Sequence, residues 1–535
     1  MIKTTRRRFL VGCSSAIAAM AGAKLHLTAF GSPEDTNQHT MVVLFLRGGM
    51  DVLNFMPPLG GDDRGHYEAA RPDLKVPTSG VDAALDLNGQ LGLHPSAAPL
   101  YDLFQDNKLA VVQAAGMHNG TRSHFDAMSY MELGTPDSKT TANGWITRFL
   151  QSSDLANTVL PSLSIASLTP NSLRAYPNTL TFSSASGFNL NTINSAWRPE
   201  HREALRQLYG ANATRLHLAG TSALDILDVV EANAASSYTP ANGAVYPSGN
   251  FGDQLQTIAM MIKQQIGLRV VTIDLGGWDT HNQQGMGTDS YFGNLVALLS
   301  SGLAAFYQDL NGSGDQDFAQ KTTLVMMSEF GRRFIQNANV GTDHGHGSLM
   351  LLLGGQVNGG MYGSWPGLHT DQLFNQRDLA VTTDYRQVLS EVLIRRMGNP
   401  NLCAIFPGYE NYSPLGVVQG SDLTPIYDGC SDAVPTPLSL TIHHVDDNVV
   451  LNWQDLFGTS EGYEIYRSTN PNFTPGDGSS TKIATINNVS YTDEDVLNNG
   501  GPNYYYAVRG VNVAGSQQDS PNEVGYFNYA VQSGS

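Results

Sequence analysis

From about Thr40 to Gly354 the chain alternates short, nearly unbroken apolar runs with stretches whose apolar residues recur every three or four positions. The runs are 41–46, 109–115, 162–166, 269–275, 322–328 and 348–353. They are rich in Val, Leu and Ile and lack strict alternation, as expected of strands covered on both faces. Between them, 254–266 places Leu255, Ile258, Met261, Ile262 and Ile266 on one side of a helix. The stretch 292–310 does the same with Leu295, Leu299, Leu303, Phe306 and Leu310, and 385–397 is a third helical candidate. Strands alternating with helices predict an α/β fold, a central mostly parallel sheet flanked by helices. Ligands of such sheets sit beyond the carboxyl ends of the strands, so the chemistry is expected where each run stops.

After about Gly429 the texture changes. Residues 431–437, with Pro435 and Pro437, read as a stiff linker. The rest of the chain shows short alternating segments at 438–442, 449–453, 463–467, 490–492, 504–513 and 523–527, separated by Gly, Pro, Asn and Asp. This spacing predicts a small all-β sandwich over 438–535. The expected organisation is a leader over 1–23, a large domain over 24–430, the linker, and the sandwich.

The leader carries Thr5-Arg6-Arg7-Arg8-Phe9-Leu10, then an Ala-rich apolar stretch and Ala21-Gly22-Ala23. This matches a twin-arginine signal peptide with a small-residue cleavage site. It implies handling by the twin-arginine export machinery and a periplasmic or extracellular location. No later stretch reaches the ~18 consecutive apolar residues of a membrane span. Beyond the leader only Cys403 and Cys430 remain, and an oxidising compartment permits them to pair. Acidic residues outnumber basic ones 48 to 30, and removing Lys3, Arg6, Arg7 and Arg8 deepens the imbalance. No basic stripe is present, so nucleic acid is excluded as a partner.

Five clusters lie beside the apolar runs. They are Arg47-Gly48-Gly49-Met50-Asp51, Thr121-Arg122-Ser123-His124-Phe125-Asp126, Gly276-Gly277-Trp278-Asp279-Thr280-His281, Ser328-Glu329-Phe330-Gly331-Arg332 and Asp343-His344-Gly345-His346-Gly347. Each alone has an ordinary reading: Asp51 and Ser123 as helix caps, Asp279 and His281 as turn residues, Glu329 paired with Arg332 or Arg333, His344 as a core histidine. Together, carboxylates and imidazoles recurring beside glycines at strand after strand suit a divalent cation, Zn²⁺ or Mn²⁺, as one ion or two. Ser123 at a helix start would meet an anion with backbone N–H groups and the helix dipole.

The five motifs, spread over about Thr40 to Pro400, resemble the family called DUF1501, which is similar to a branch of the alkaline phosphatase–sulfatase superfamily. The resemblance implies an alkaline phosphatase-like sheet with metals at the strand ends. It implies that Asp51, Asp279, His281 and His344 or His346 are metal ligands, with Glu329 where the superfamily has an Asp and Asp343 as a ligand or as the residue that orients His344. Ser123, or Thr121, would be the nucleophile, Arg122 or Arg47 the partner of the anion's oxygens, and His124 a ligand or general acid. The implied activity is metal-dependent hydrolysis of phosphate or sulfate esters; the alternative is a non-catalytic secreted scaffold for a polysaccharide, surface glycan or protein. Two departures stand out: Phe330 follows Glu329 where a ligand His is common, and only Thr280 separates Asp279 from His281. In the tail, Leu451-Asn452-Trp453, Gly462-Tyr463-Glu464-Ile465-Tyr466-Arg467, Tyr504-Tyr505-Tyr506-Ala507-Val508 and Asn512-Val513-Ala514-Gly515 resemble a fibronectin type III domain.

Overall fold

The computed structural model describes residues 39–427, apart from stretches within 140–237 and residue 266, and 438–526 apart from several stretches. The leader, the linker and Cys430 lie outside the described residues; Cys403 is disulfide-bonded.

Nine strands form the central sheet: β1 (Thr40–Leu46), β2 (Leu109–Gly116), β3 (Ser162–Ile165), β4 (Thr179–Phe182), β5 (Val270–Leu275), β6 (Thr322–Ser328), β7 (Ser348–Leu353), β8 (Gly360–Tyr362) and β9 (Thr383–Asp384). Their order is β8-β2-β7-β6-β1-β5-β3-β4, with β9 also pairing with β2. All pairings are parallel except those of β7, which runs against both β2 and β6. Strand β1 lies in the middle and every one of its residues is buried. Val42, Leu44 and Leu46 enter one apolar cluster, and Met41, Val43 and Phe45 enter another on the opposite face. That two-sided burial is why the run shows no alternation.

Helices cover both faces. We label α1 (His124–Leu133), α2 (Trp145–Gln151), α3 (Asn250–Lys263), α4 (Tyr291–Leu310) and α5 (Tyr385–Arg395). Helices α3 and α4 pack Leu255, Ile258, Val296, Leu299 and Leu303 against the Val42 face. Helices α1, α2 and α5 pack Met131, Trp145, Phe149, Val388 and Leu389 against the Met41 face.

The direction of β7 decides where the chemistry falls. Strand β6 ends at the sheet's carboxyl rim, the chain stays there through 329–347, and β7 then runs back. Residues that precede β7 therefore share a rim with residues that follow the parallel strands.

The tail forms β10 (Leu438–Val445), β11 (Asn448–Gln454), β12 (Tyr463–Ser468), β13 (Thr481–Ile486), β14 (Ser490–Asp493), β15 (Tyr504–Val511), β16 (Gln517–Asp519) and β17 (Val524–Tyr526). They make two antiparallel sheets, β10-β11-β14 and β13-β12-β15-β16, with β17 also on β15. Leu440, Leu451 and Trp453 of the first meet Tyr463, Ile465, Tyr506 and Val508 of the second in one apolar cluster. Strand β13 is absent from the sequence expectation because it is a partly exposed edge strand whose Thr-Lys-Ile-Ala-Thr-Ile pattern carries little apolar signal. This cluster shares no residue with the two clusters of the large sheet. Deleting 436–535 is expected to leave the large domain folded, with its own cooperative melt by calorimetry.

Candidate metal centre

At the rim, three imidazoles and a carboxylate meet. The His344 Nε2 lies 2.9 Å from His124 Nε2, 2.9 Å from His281 Nε2 and 3.3 Å from Asp279 Oδ1. Asp279 Oδ1 is also 3.1 Å from His281 Nε2 and 3.5 Å from His124 Nε2. His124, Asp279 and His344 are the group, among the described residues, whose ligand atoms could share an ion.

Each ring is pinned from behind. His124 Nδ1 donates to Glu329 Oε1 at 2.8 Å, His281 Nδ1 to Asp343 Oδ1 at 3.0 Å, and His344 Nδ1 to the Arg122 carbonyl at 2.8 Å. With Nδ1 donating, the neutral form of each ring presents a lone pair at Nε2. Lone pairs facing one another at 2.9 Å repel unless a positive charge lies between them. A shared proton supplies one; so does a cation. Donors held ~2.0–2.1 Å from a tetrahedral ion sit about 3.3–3.4 Å apart. The observed separations bracket that value, so the donor set fits a small divalent cation, and the carboxylate and carbonyl behind the rings are the acceptors that metal-binding histidines require.

Glu329 is buried and accepts from the backbone N–H of Gly48 at 2.8 Å and from Ser328 Oγ at 2.9 Å. Burial alone would raise its carboxyl; the bonds from His124, its own backbone, Gly48 and Ser328 outweigh this and hold it below the usual range. The hydrogen bond to Glu329 raises His124 despite partial burial. Burial, ahead of nearby positive charge, lowers His344. Burial would raise Asp279 too, but the bond from Arg332 and its charge keep it low.

Arg332 is the residue that sequence reasoning left in an ordinary role. It is fully buried, and its Nη2 donates to Asp279 Oδ1 at 2.5 Å and to the Trp278 carbonyl at 3.2 Å, and also to the Gly48 carbonyl. Its Nε reaches the Gly49 carbonyl at 2.7 Å and its Nη1 the Thr342 carbonyl at 2.9 Å. One guanidinium thus ties together the loops after β1 and β5 and the one before β7. The glycines make room. A Cβ on Gly48 would lie 2.5 Å from the Asp279 nitrogen, and one on Gly49 would lie 2.5 Å from the Phe330 ring, both at positive φ.

Several expected ligands stand elsewhere. Glu329 and Asp343 sit behind His124 and His281 as orienting acceptors, and Asp343 orients His281, not His344. Asp51 is fully buried; its Oδ2 takes Arg71 Nη1 at 2.5 Å and Gln284 Nε2 at 2.6 Å, so a guanidinium fills the role assigned to a cation. His346 is buried and stacked on Phe374 with centroids 3.9 Å apart, and burial first, then His118 and Arg122, push it down to about 4. Phe330, the residue that departs from the family pattern, packs its ring against His124 and His344 with centroids 4.8 and 5.2 Å apart. His124, left open as ligand or acid, has its Nε2 among the atoms that could share an ion. Ser123 caps α1, its Oγ accepting from the Asp126 N–H at 3.4 Å, and its N–H reaches Thr121 Oγ1 at 3.3 Å. Arg122 pairs with Asp378 and Arg47 with Glu132 and Asp274.

A mostly parallel sheet with a His–Asp cluster at its carboxyl rim defines an α/β protein built around a candidate metal site. The chain belongs to the DUF1501 family: residues 38–400 match the family described as "Protein of unknown function (DUF1501)". No curated protein matches it. Among solved structures it is similar to the pectate lyase PelI from Erwinia chrysanthemi in complex with tetragalacturonic acid, at 27% identity and a TM-score of 0.14, over 16% of this chain and 27% of that one. The chain thus spans about a quarter of that protein's length. It is also similar to the lipoteichoic acid synthase LtaP from Listeria monocytogenes (10% identity, 76% of this chain, 80% of that one, TM-score 0.28). A protein in the alkaline phosphatase superfamily from Vibrio parahaemolyticus is similar at 8% identity, over 84% of each chain, with a TM-score of 0.29. These are distant likenesses.

Proposed function

We propose that the protein is an exported, metal-dependent hydrolase of phosphate or sulfate esters with Ser123 as nucleophile. The observation that carries the reading is the convergence of three Nε2 atoms and Asp279 Oδ1 from three separate segments of the chain, each ring pinned at Nδ1. His124, Asp279 and His344, with His281 beside them, would hold a divalent cation, which would supply Lewis-acid charge for an anionic ester. Ser123 stands between two residues anchored on this cluster, Arg122 through its carbonyl and His124 through its ring. Its Oγ accepts one backbone bond, which leaves the hydroxyl proton free to pass to solvent water as the oxygen attacks phosphorus or sulfur; the bond from that atom to the ester's alcohol oxygen breaks, and the alcohol leaves with a proton from water. The first-turn N–H groups of α1 favour the anion, and the part-exposed Arg122 guanidinium offers a second contact to its oxygens. Water then cleaves the seryl ester. Export by the twin-arginine route, a periplasmic or extracellular location and a fibronectin type III character for the tail belong to the same proposal.

A second reading rests on Phe330. A ring packed on two of the imidazoles leaves less polar surface for a second ion, which suits a scaffold that has kept the fold and binds a glycan or protein partner.

The test is metal content by mass spectrometry after expression with zinc and manganese, alongside turnover of 4-nitrophenyl phosphate and sulfate. About one equivalent of metal is expected, with hydrolysis reduced roughly a thousand-fold or more in Ser123→Ala and metal unchanged. Metal-free protein without turnover would favour the scaffold.

A further inference from the structure

Behind the metal centre lies a buried amide. Gln284 follows His281 by three residues in the segment after β5 and is fully buried. Its Nε2 donates to Asp51 Oδ2 at 2.6 Å. Its Oε1 accepts two hydroxyls, Thr280 Oγ1 at 2.7 Å and Thr342 Oγ1 at 2.8 Å. Thr280 stands between Asp279 and His281, and Thr342 directly precedes Asp343 and His344. Asp51, Thr280 and Thr342 are all buried.

The carboxylate fixes the sense of this network. An ionised Asp51 can only accept, so the amide turns its NH₂ to Asp51 and its oxygen to the threonines. Each threonine then gives its one hydroxyl proton to the same oxygen. Backbone bonds join the two loops to each other, the Thr342 N–H donating to the Thr280 carbonyl and the Gln284 N–H to the Val340 carbonyl, both at 2.9 Å. The Gln284 side chain joins them both to Asp51, which Arg71 Nη1 anchors at 2.5 Å.

We propose that Gln284 is a positioning residue for the metal centre, an inference that rests on the reading of the rim as a metal site. Through Thr280 and Thr342 it holds the loop of Asp279 and His281 and the loop of Asp343 and His344 in one mutual setting, with Asp51 as the fixed end. Glu329, Asp343 and the Arg122 carbonyl each orient a single ring. One amide bonded to both loops sets the spacing between them. Metal–donor distances tolerate only about 0.2 Å, so a slight parting of the loops is felt as lost affinity.

The experiment uses the full chain and Zn²⁺ alone, with affinity read by competition against a chromophoric chelator. Gln284→Met removes the amide while Asp51 keeps Arg71, and it should weaken zinc binding by about tenfold or more. Thr280→Val should weaken it severalfold, whereas Thr280→Ser, which keeps the hydroxyl, should bind as the parent does; this pair decides the matter if Gln284→Met does not fold. Leu393→Ala, a core change in α5, should melt lower than the parent yet bind zinc as tightly, which separates positioning from loss of stability. In chelated protein, Thr280→Val combined with Thr342→Val should lower the melting temperature by more than the two single losses together, since only the double variant takes both hydroxyl donors from the buried Oε1. Zinc uptake by the parent with unchanged affinity in Gln284→Met or Thr280→Val, equal losses in Thr280→Ser and Thr280→Val, a loss of affinity in Leu393→Ala as large as that in Gln284→Met, or additive melts would each overturn the proposal and leave the metal reading standing. A parent that takes up no zinc would overturn both.

Discussion

Arg332→Leu is expected to cost about 3–5 kcal/mol of stability, read from denaturant midpoints at constant slope. The guanidinium is fully buried and bonds four carbonyls and one carboxylate. Leucine fills part of the volume but leaves those acceptors without donors in a place water does not reach. Lysine retains the charge but not the fork, so Arg332→Lys should recover only a minor part of the loss. The same bond cut from its other end should behave differently. Asp279 is 50% exposed, so water can compensate there, and Asp279→Asn should cost about 1 kcal/mol or less. Equal costs from the two ends, or a loss below about 1 kcal/mol in Arg332→Leu, would contradict the role of Arg332 as the tie between three loops.

Why the sequence led to the rim but not to the whole arrangement follows from what each residue type can signal. The six main strands are legible because two-sided burial demands unbroken apolar runs, and the structure places them within one or two residues. Strands β4, β8 and β9 have four, three and two residues, too short for any period to show. Pairing direction is not written in composition either, and the reversal of β7 is what brings His344 to the rim although it precedes its strand. Asp279, His281 and His344 stand out in the sequence only as a set, because carboxylates and imidazoles recur beside glycines at strand after strand. The division of labour among carboxylates was not legible. Asp51, Glu329 and Asp343 carry the same chemistry as Asp279, and only three-dimensional distance shows that they hold Arg71, His124 and His281. Arg332 was equally opaque, since an Arg three residues after a Glu reads as a local pair, whereas four of its five partners lie some 50 or 280 positions away.

His344→Ala is expected to abolish stoichiometric metal binding, whereas His281→Ala, which leaves His124, Asp279 and His344 in place, should weaken it without abolishing it. The His344 Nε2 makes both 2.9 Å contacts, whereas Asp279 Oδ1 reaches the same two rings at 3.1 and 3.5 Å. Glu329→Gln should fall between, lowering affinity by about 10–100-fold, because it perturbs His124 only from behind. The pH dependence carries a sign that separates a cation from a shared proton. In the metal-free protein His124 is raised above its ordinary 6.5 by Glu329, so its contribution to stability is fully present below pH 6.5 and is lost as the pH climbs through the raised value. Metal binding needs that same Nε2 unprotonated, so stabilisation by metal grows over the same interval. The melting-temperature gap between metal-loaded and chelated protein should therefore widen from pH 6 to 8, and His344→Ala should close it at every pH. A gap that narrows with rising pH, or that survives in His344→Ala, would mean that a proton and not a cation bridges these rings.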